Sequence, residues 1–474
     1  MDNYPSIFND VMGPIMRGPS SSHCAASLRI GRLCRALMDD EITDILIEFD
    51  PDGSLATTHQ SQGSDMGLFG GFLGWEAYDE RLKFAEQEVT GAGIDVTIKI
   101  VDIAADHPNT YKITLNNTRE TRQLIAISTG GGMIEVIEID GNKVSMAGDY
   151  YETLVYCNHG DELKILFDAE VDYDEFILHE EGEHCFAEIK SQQPLDKQLC
   201  DKLLSMDDVL FIKHLPPVIP VLSRKALSVP FITCDEMLEY NKDKDLSLWE
   251  LALHYESMRG NMSQEDVWEK MEEIVDIMES SIQDGLKGTE YDDRILGAQS
   301  VGFKEKMESN QLLGGDLSNR IIMFVSSMME VKSSMGVIVA APTAGSCGVV
   351  PGALIGTASS LGLSKDDVIR AMLSAGIIGV FIAAHATFAA EVGGCQAECG
   401  SGSGMAAAGI VNLAKGTLDQ SLCAASIALQ NSLGMICDPV ANRVEAPCLG
   451  KNVMAATNAL SCANMALAGY DHLI

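Results

Sequence analysis

Between Val331 and Ile474 the sequence carries only fourteen charged side chains, eight acidic and six basic, and is crowded with Gly, Ala and Ser. A segment so poor in charge and bulk cannot make helices with one broad solvated face. It is expected to fold as closely packed helices buried on most sides. Its extreme is "AMLSAGIIGVFIAAHATFAA", residues 371–390, which has no formal charge over a length that could cross a bilayer. The run is largely Ala, Gly, Ser and Thr, contains His385, and has no aromatic belt or basic flank. A buried central helix is the expectation, with no membrane partner.

The acidity sits in the first 330 residues, where 61 Asp and Glu outnumber 27 Lys and Arg, and the whole chain has a formal charge of −36. Such a polyanion gains nothing by approaching nucleic acid or an anionic membrane. Small molecules and other protein chains are the expected partners. The N-terminus has no basic segment followed by an apolar one, so no secretory signal is expected and the cytoplasm is the expected compartment. The thirteen cysteines are odd in number and irregularly spaced, which suits reduced thiols better than a disulfide framework.

The chain divides by pattern. Residues 1–150 predict an α/β domain with an antiparallel component: a helix follows "GPSSSH", and "ILIEFD", "VTIKIVD", "YKITL" and "IEVIEI" alternate as strands do. Residues 151–215 predict a small acidic α+β module, with strands at "TLVYC", "DEFILHE", "HCFAEIK" and "VLFIKH" and a helix at "LDKQLCDKLLSM". A proline-rich linker follows over 216–230. Residues 231–474 predict an all-α domain.

Within the helical domain, Cys395, Cys437 and Cys448 stand beside Gly, Asp or Pro in apparent helix breaks: "GGCQAEC", "MICDPVANR" and "EAPCLGKN". Any one of them reads first as a small core residue. Structural zinc normally takes four ligands with close pairing, and the one close pair here is Cys395 with Cys399. Three thiolates with an open coordination position would suit an iron–sulfur cluster whose exposed iron binds substrate. Further forward, the serines of "GPSSSH" could cap a helix or bind a carboxylate with the free backbone N–H groups.

These segments, together with "HPNTYKITL", "ISTGGGMIEV", "EVKSSMGVIVAAPTAGSCGVVPGAL" and "NALSCANMALAG", resemble the iron–sulfur-dependent L-serine dehydratases, in the form with a β-type part before an α-type part on one chain. The resemblance spans nearly the whole length. It implies a [4Fe–4S] cluster held by Cys395, Cys437 and Cys448 in the α-type domain, with Cys399, a valine in relatives, outside the ligand set. It implies Ser20, Ser21, Ser22 and His23 as catalytic residues, and Asp65, Thr343, Gly345, Ser346, His385 and Asn452 as substrate-binding residues. It implies an ACT-like identity for the middle module, at least a homodimer, and conversion of a small amino acid, L-serine, to pyruvate and ammonia.

Several positions depart from the family pattern. "HATFAAEV" precedes the first cluster cysteine, Gln62 stands where relatives carry a histidine, and Lys332 stands where they carry asparagine. The sequence also runs only a short way past Cys448, which suggests an open pocket. These departures support an alternative in which the same cluster acts on another β-substituted amino or hydroxy acid. A non-catalytic amino-acid-binding relative is a further alternative. A pyridoxal-phosphate enzyme would need a lysine in a phosphate-binding context, and neither Lys415 nor Lys451 has one.

Overall fold

The computed structural model describes residues 4–182, 184–292, 294–438, 440 and 445–472, without the side chains of Asp161 and Glu391. Pro439 and residues 441–444, within the motif between Cys437 and Cys448, lie outside the described residues. The chain forms two compact units, one of residues 22–227 and one of residues 1–21 with 228–474.

The first unit holds two sheets. In the six-stranded sheet the order is Asp95–Ile100, Asp44–Phe49, Thr110–Asn116, Thr121–Gly130, Met133–Ile139, Asn142–Met146. The first pair is parallel and the others antiparallel. Helix Ala26–Leu37 buries Ile30, Leu33 and Leu37 in the same core as Ile45, Ile47, Ile113 and Val136. The strand Thr121–Gly130 was not evident from the sequence because its inward positions include Arg122 and Ser128 beside Leu124 and Ala126. Arg122 is buried because it bonds Glu120 and Asp140 and lies over the rings of Tyr156 and Phe211.

The second sheet, ordered Val209–Leu215, Tyr151–Cys157, Phe186–Ser191, Glu175–His179, is antiparallel throughout. With helices Asp161–Glu170 and Lys197–Leu204 it makes a strand–helix–strand–strand–helix–strand unit of the ferredoxin-like kind. Strand alternation divides its residues. Val155, Cys157, Ala187 and Ile189 pack on Leu163, Phe167 and Leu203 of the helices, while Leu154, Tyr156 and Phe186 join the core of the six-stranded sheet.

The second unit is helical. Its helices are Cys234–Asn241, Leu248–Gly260, Gln264–Lys287, Ser300–Glu308, Asp316–Ser333, Val349–Leu361, Lys365–His385, Ala390–Gly393, Ser401–Leu413, Leu418–Asn431 and Ala446–Leu467. Capping boxes start five of them, at Thr233, Ser247, Ser263, Ser364 and Thr417. Lys365–His385 is long and apolar enough to cross a membrane, and 67% of its most apolar window is buried inside the protein. Small residues allow close crossings: a Cβ on Gly409 would lie 2.9 Å from the Ala371 carbonyl oxygen.

The N-terminal residues belong to this helical unit. Ile15–Arg17 pairs with Val337–Val339, and helix Leu248–Gly260 holds the segment before it. Glu256 accepts from the Ser6 hydroxyl and the Ile7 N–H, Tyr255 donates to the Pro5 carbonyl, and Arg259 donates to that of Tyr4. Burial outweighs these hydrogen bonds and pushes the Glu256 carboxyl up to about 7. A carboxyl raised in the fold contributes stability that is complete below its ordinary pKa of 4.5 and lost as pH rises through about 7. The helical unit should therefore lose about 3 kcal/mol from this group between pH 4.5 and 8. Glu256→Gln should flatten that dependence while keeping the segment docked. Urea unfolding followed by the fluorescence of the Trp249–Trp268 pair, which lies in this unit, measures both.

Candidate active site

Cys395 follows the short helix Ala390–Gly393 and a turn at Gly394, whose φ of +69° suits glycine. A Cβ at Gly394 would lie 2.9 Å from the Met435 carbonyl oxygen and 3.4 Å from the Cys437 nitrogen, so its absence lets the Cys395 and Cys437 segments touch. They are joined by Gln396 N–H donating to the Met435 carbonyl at 2.9 Å and Gly434 N–H donating to the Gln396 side chain at 2.7 Å. Cys448 lies in the first turn of Ala446–Leu467, where proline occupies one of the first helical positions. One turn on, Lys451 donates to the Ile436 carbonyl, pairs with Asp438 and acts electrostatically on Cys395. A single ammonium thus ties the three cysteine-bearing segments together.

The loop after strand Val337–Val339 meets this region through Asn452. That amide is fully buried and saturated: it donates to the Gly345 carbonyl at 2.8 Å, to the Cys448 carbonyl at 2.7 Å and to the Cys399 sulfur at 3.5 Å, and accepts from Gly348 N–H at 3.1 Å. Within the loop, Thr343 and Ser346 bond each other side chain to side chain and side chain to backbone. The Thr343 hydroxyl donates to Glu398 at 2.6 Å. The other side of the loop rests on the N-terminal segment, with Ala340 N–H on the Pro14 carbonyl and Gly18 N–H on that of Gly336.

Cys395 and Cys448 are buried, Cys437 is exposed, and all three are free thiols. Burial pushes Cys395 up to about 12, with Lys451 opposing and Glu398, Cys448 and Cys437 adding to the rise. Burial also raises Cys448, against the fully buried Lys332. Each of these two thiols therefore lies within electrostatic reach of both other cysteines. Among the described residues no three His, Cys, Asp or Glu side chains converge tightly enough to hold a single metal ion. A cluster that binds thiolates at separate corners asks for a wider spacing than one ion does, and a set of three neighbouring thiols suits it.

Comparison with known sequences supplies the context. The family described as serine dehydratase alpha chain matches residues 243–474. A probable L-serine dehydratase alpha chain of Bacillus subtilis (strain 168) is 39% identical over 239 residues, 50% of this chain and 80% of that protein. The probable L-serine dehydratase beta chain of the same organism is 34% identical over 216 residues, 44% of this chain and 96% of its own. L-serine dehydratase 1 of Escherichia coli (strain K12) is 31% identical over 252 residues, 50% of this chain and 53% of that protein. The chain belongs to the L-serine dehydratase family.

In this family member the residues predicted from sequence fall into groups. Thr343, Gly345, Ser346 and Asn452 are brought together with Cys395 and Cys448 in the helical unit. Ser20 and Ser21 also belong to that unit and follow Gly18, which lies against Gly336. His385 is exposed at the end of its helix, where Nε2 meets the Ile232 carbonyl at 3.1 Å beside Glu236. Ser22 and His23 belong to the other unit. There His23 Nε2 is 3.0 Å from the Thr58 hydroxyl, and burial lowers its pKa to about 4. Asp65 holds His59 Nδ1 at 2.8 Å. Sequence reasoning missed Glu398, Lys451 as a structural tie, and His59. A charged residue three positions from a candidate ligand was the available signal for both Glu398 and Lys451.

Because Asn452 is buried with every polar atom engaged, Asn452→Ala would leave the Gly348 N–H and two carbonyls without their partner. We expect a loss of about 2–4 kcal/mol and faster hydrogen exchange at Gly345–Gly348. Denaturation midpoints and exchange mass spectrometry check the two.

Proposed function

We propose that the protein eliminates water from L-serine, giving pyruvate and ammonia, with a [4Fe–4S] cluster on Cys395, Cys437 and Cys448. The observation that carries this is the tie between the three cysteine segments and the Thr343–Ser346 loop through Lys451 and Asn452. It supports the reading by linking the three cysteine-bearing segments to a loop that carries two hydroxyls, the kinds of group that such a reaction needs.

When bound, the cluster supplies an open iron that acts as a Lewis acid toward a substrate carboxylate and hydroxyl. The remaining work falls to the chain. Lys451 keeps the exposed Cys437 segment next to Cys395, and Asn452 fixes the loop backbone. Lys332, a buried cation near Cys347 and Cys448, favours a carboxylate ligand in this region. Ser20, Ser21, Ser22, His23, Asp65 and His385 stay assigned to catalysis and substrate binding as the family resemblance implies. The product of elimination is an enamine, which tautomerises and hydrolyses to the keto acid.

In the same reading the ferredoxin-like module is ACT-like, and the protein acts in the cytoplasm as at least a homodimer. Lys332, where relatives carry asparagine, favours one variant of the reading: the same chemistry on a related β-substituted acid.

Protein purified without oxygen should contain close to four iron and four acid-labile sulfide per chain and form pyruvate from L-serine. Cys395→Ala, Cys437→Ala and Cys448→Ala should each lower the iron content and abolish turnover, while Cys399→Ala should retain both. Zinc in place of iron, or full iron with no turnover of any β-hydroxy amino acid, would defeat the proposal.

A further inference from the structure

Two cysteines meet at the adjoining ends of the two central strands of the ferredoxin-like module. Cys157 is the last residue of Tyr151–Cys157, and Cys185 directly precedes Phe186–Ser191. Tyr156 pairs with Phe186, so the next position along sets the two cysteines face to face, and Cys157 N–H donates to the Cys185 carbonyl at 3.1 Å. Alternation puts Cys185 on the same side as Ala187 and Ile189, the side on which Cys157 packs with the helices of the module. The two sulfurs are 3.8 Å apart, and both are free thiols. Opposed residues at a hydrogen-bonded position of an antiparallel pair have Cα atoms about 5.5 Å apart, within the range of about 4.4–6.8 Å that a disulfide spans. Rotation of the two side chains is therefore enough to close the bond.

The turn before Cys185 is fixed from the neighbouring sheet. The Asn142 side chain donates to the His184 carbonyl at 2.7 Å and accepts from Gly182 N–H at 2.7 Å, which keeps the thiols opposed. Their exposures differ, since Cys157 is buried and Cys185 half-buried. Burial, with Cys185 adding to its effect, pushes the Cys157 thiol up to about 12, so at neutral pH it is protonated as well as covered. Cys185 is the thiol that a reagent in solution meets first. Cys200, the third cysteine of the module, lies instead beside His214, 3.8 Å from its Nε2.

We propose that Cys157 and Cys185 are a reversible dithiol pair that low-molecular-weight disulfides oxidise. The Cys185 thiolate attacks one sulfur of the small disulfide, whose S–S bond breaks; a mixed disulfide forms and one small thiolate leaves, to be protonated. The Cys157 sulfur then attacks the Cys185 sulfur, gives up its proton, and the second small thiol departs. The two cysteines lose two electrons and two protons, and the small disulfide becomes two thiols. The product encloses residues 158–184, with helix Asp161–Glu170 and strand Glu175–His179, in a covalent loop and restricts their unfolding. In a reducing compartment such a bond is transient, so the pair follows the balance of small thiols and disulfides. The inference is independent of the dehydratase reading.

The test uses the full chain, purified without oxygen and held in its native state in glutathione buffers of increasing disulfide content. Trypsin then separates the two thiols, because residues 144–164 and 165–190 each end at a lysine and each carry one cysteine. These two peptides should be joined in the oxidised wild type and come apart after dithiothreitol. Amide exchange within residues 158–184 should slow by about 10- to 100-fold in the joined form. Cys157→Ala should stop at glutathione bound to Cys185, Cys185→Ala should leave Cys157 unmodified, and Cys200→Ala should oxidise as the wild type does. The wild-type peptide map needs no variant, so it decides the matter even where Cys157→Ala does not fold. No joined pair at any glutathione ratio, Cys185 joined to Cys200 in its place, or a joined pair with unchanged exchange would overturn the proposal.

Discussion

Buried backbone that is not helical must find hydrogen-bond partners, and in the helical unit this constraint governs the rest of the structure. Helices of Ala, Gly and Ser pack closely and satisfy their own main chain, but the breaks between them do not. Long polar side chains meet those breaks from neighbouring helices: Glu256 takes the N-terminal segment, Glu330 the chain at Gln299 and Ser300, and Glu445 that at Ile295 and Leu296. Asn452 does the same for Gly345 and Gly348. Each of these groups is buried, so removing one leaves unpaired donors in an apolar setting and costs more than the bond itself.

The same constraint explains why the candidate site sits where it does. Chain breaks are the places where a thiol or hydroxyl can project without a helix turn covering it. Breaks held by several side chains are also the places where such groups can be fixed in position. Lys451 shows how the two uses combine, since one ammonium satisfies the Ile436 carbonyl, neutralises Asp438 and reaches Cys395. Metal binding requires deprotonated thiolates, which burial opposes here. The nearby cations Lys332 and Lys451 reduce that opposition, and Glu398 increases it.

Much of this was legible in the sequence, for identifiable reasons. Ser-x-x-Glu and Ser-x-x-Asp starts such as Ser247 to Glu250 and Ser263 to Asp266 became capping boxes, and a charge-poor Ala-Gly run became buried helices. Local patterns also gave most strands of the first unit. What was not legible depends on distant pairing. Ile15–Arg17 joins the helical unit because its partner strand is Val337–Val339 and because Glu256 captures Ser6 and Ile7, and no local pattern records either. The strand Thr121–Gly130 was hidden by a buried arginine whose partners lie on other strands. Glu398 drew no assignment from the sequence, since only the fold brings it to Thr343.

Two histidines of the first unit, His23 and His59, show how burial divides roles that sequence leaves together. His23 was expected to orient a ligand or to move a proton. Burial holds its pKa down to about 4, so between pH 5 and 8 its ring is neutral, bonded to Thr58, and available for hydrogen bonding and not for charge. His59, by contrast, keeps a carboxylate partner in Asp65 at 2.8 Å on Nδ1. A carboxylate there fixes which ring nitrogen faces away from it. Asp65 therefore orients the His59 ring in addition to the substrate-binding role that the family resemblance implies for it.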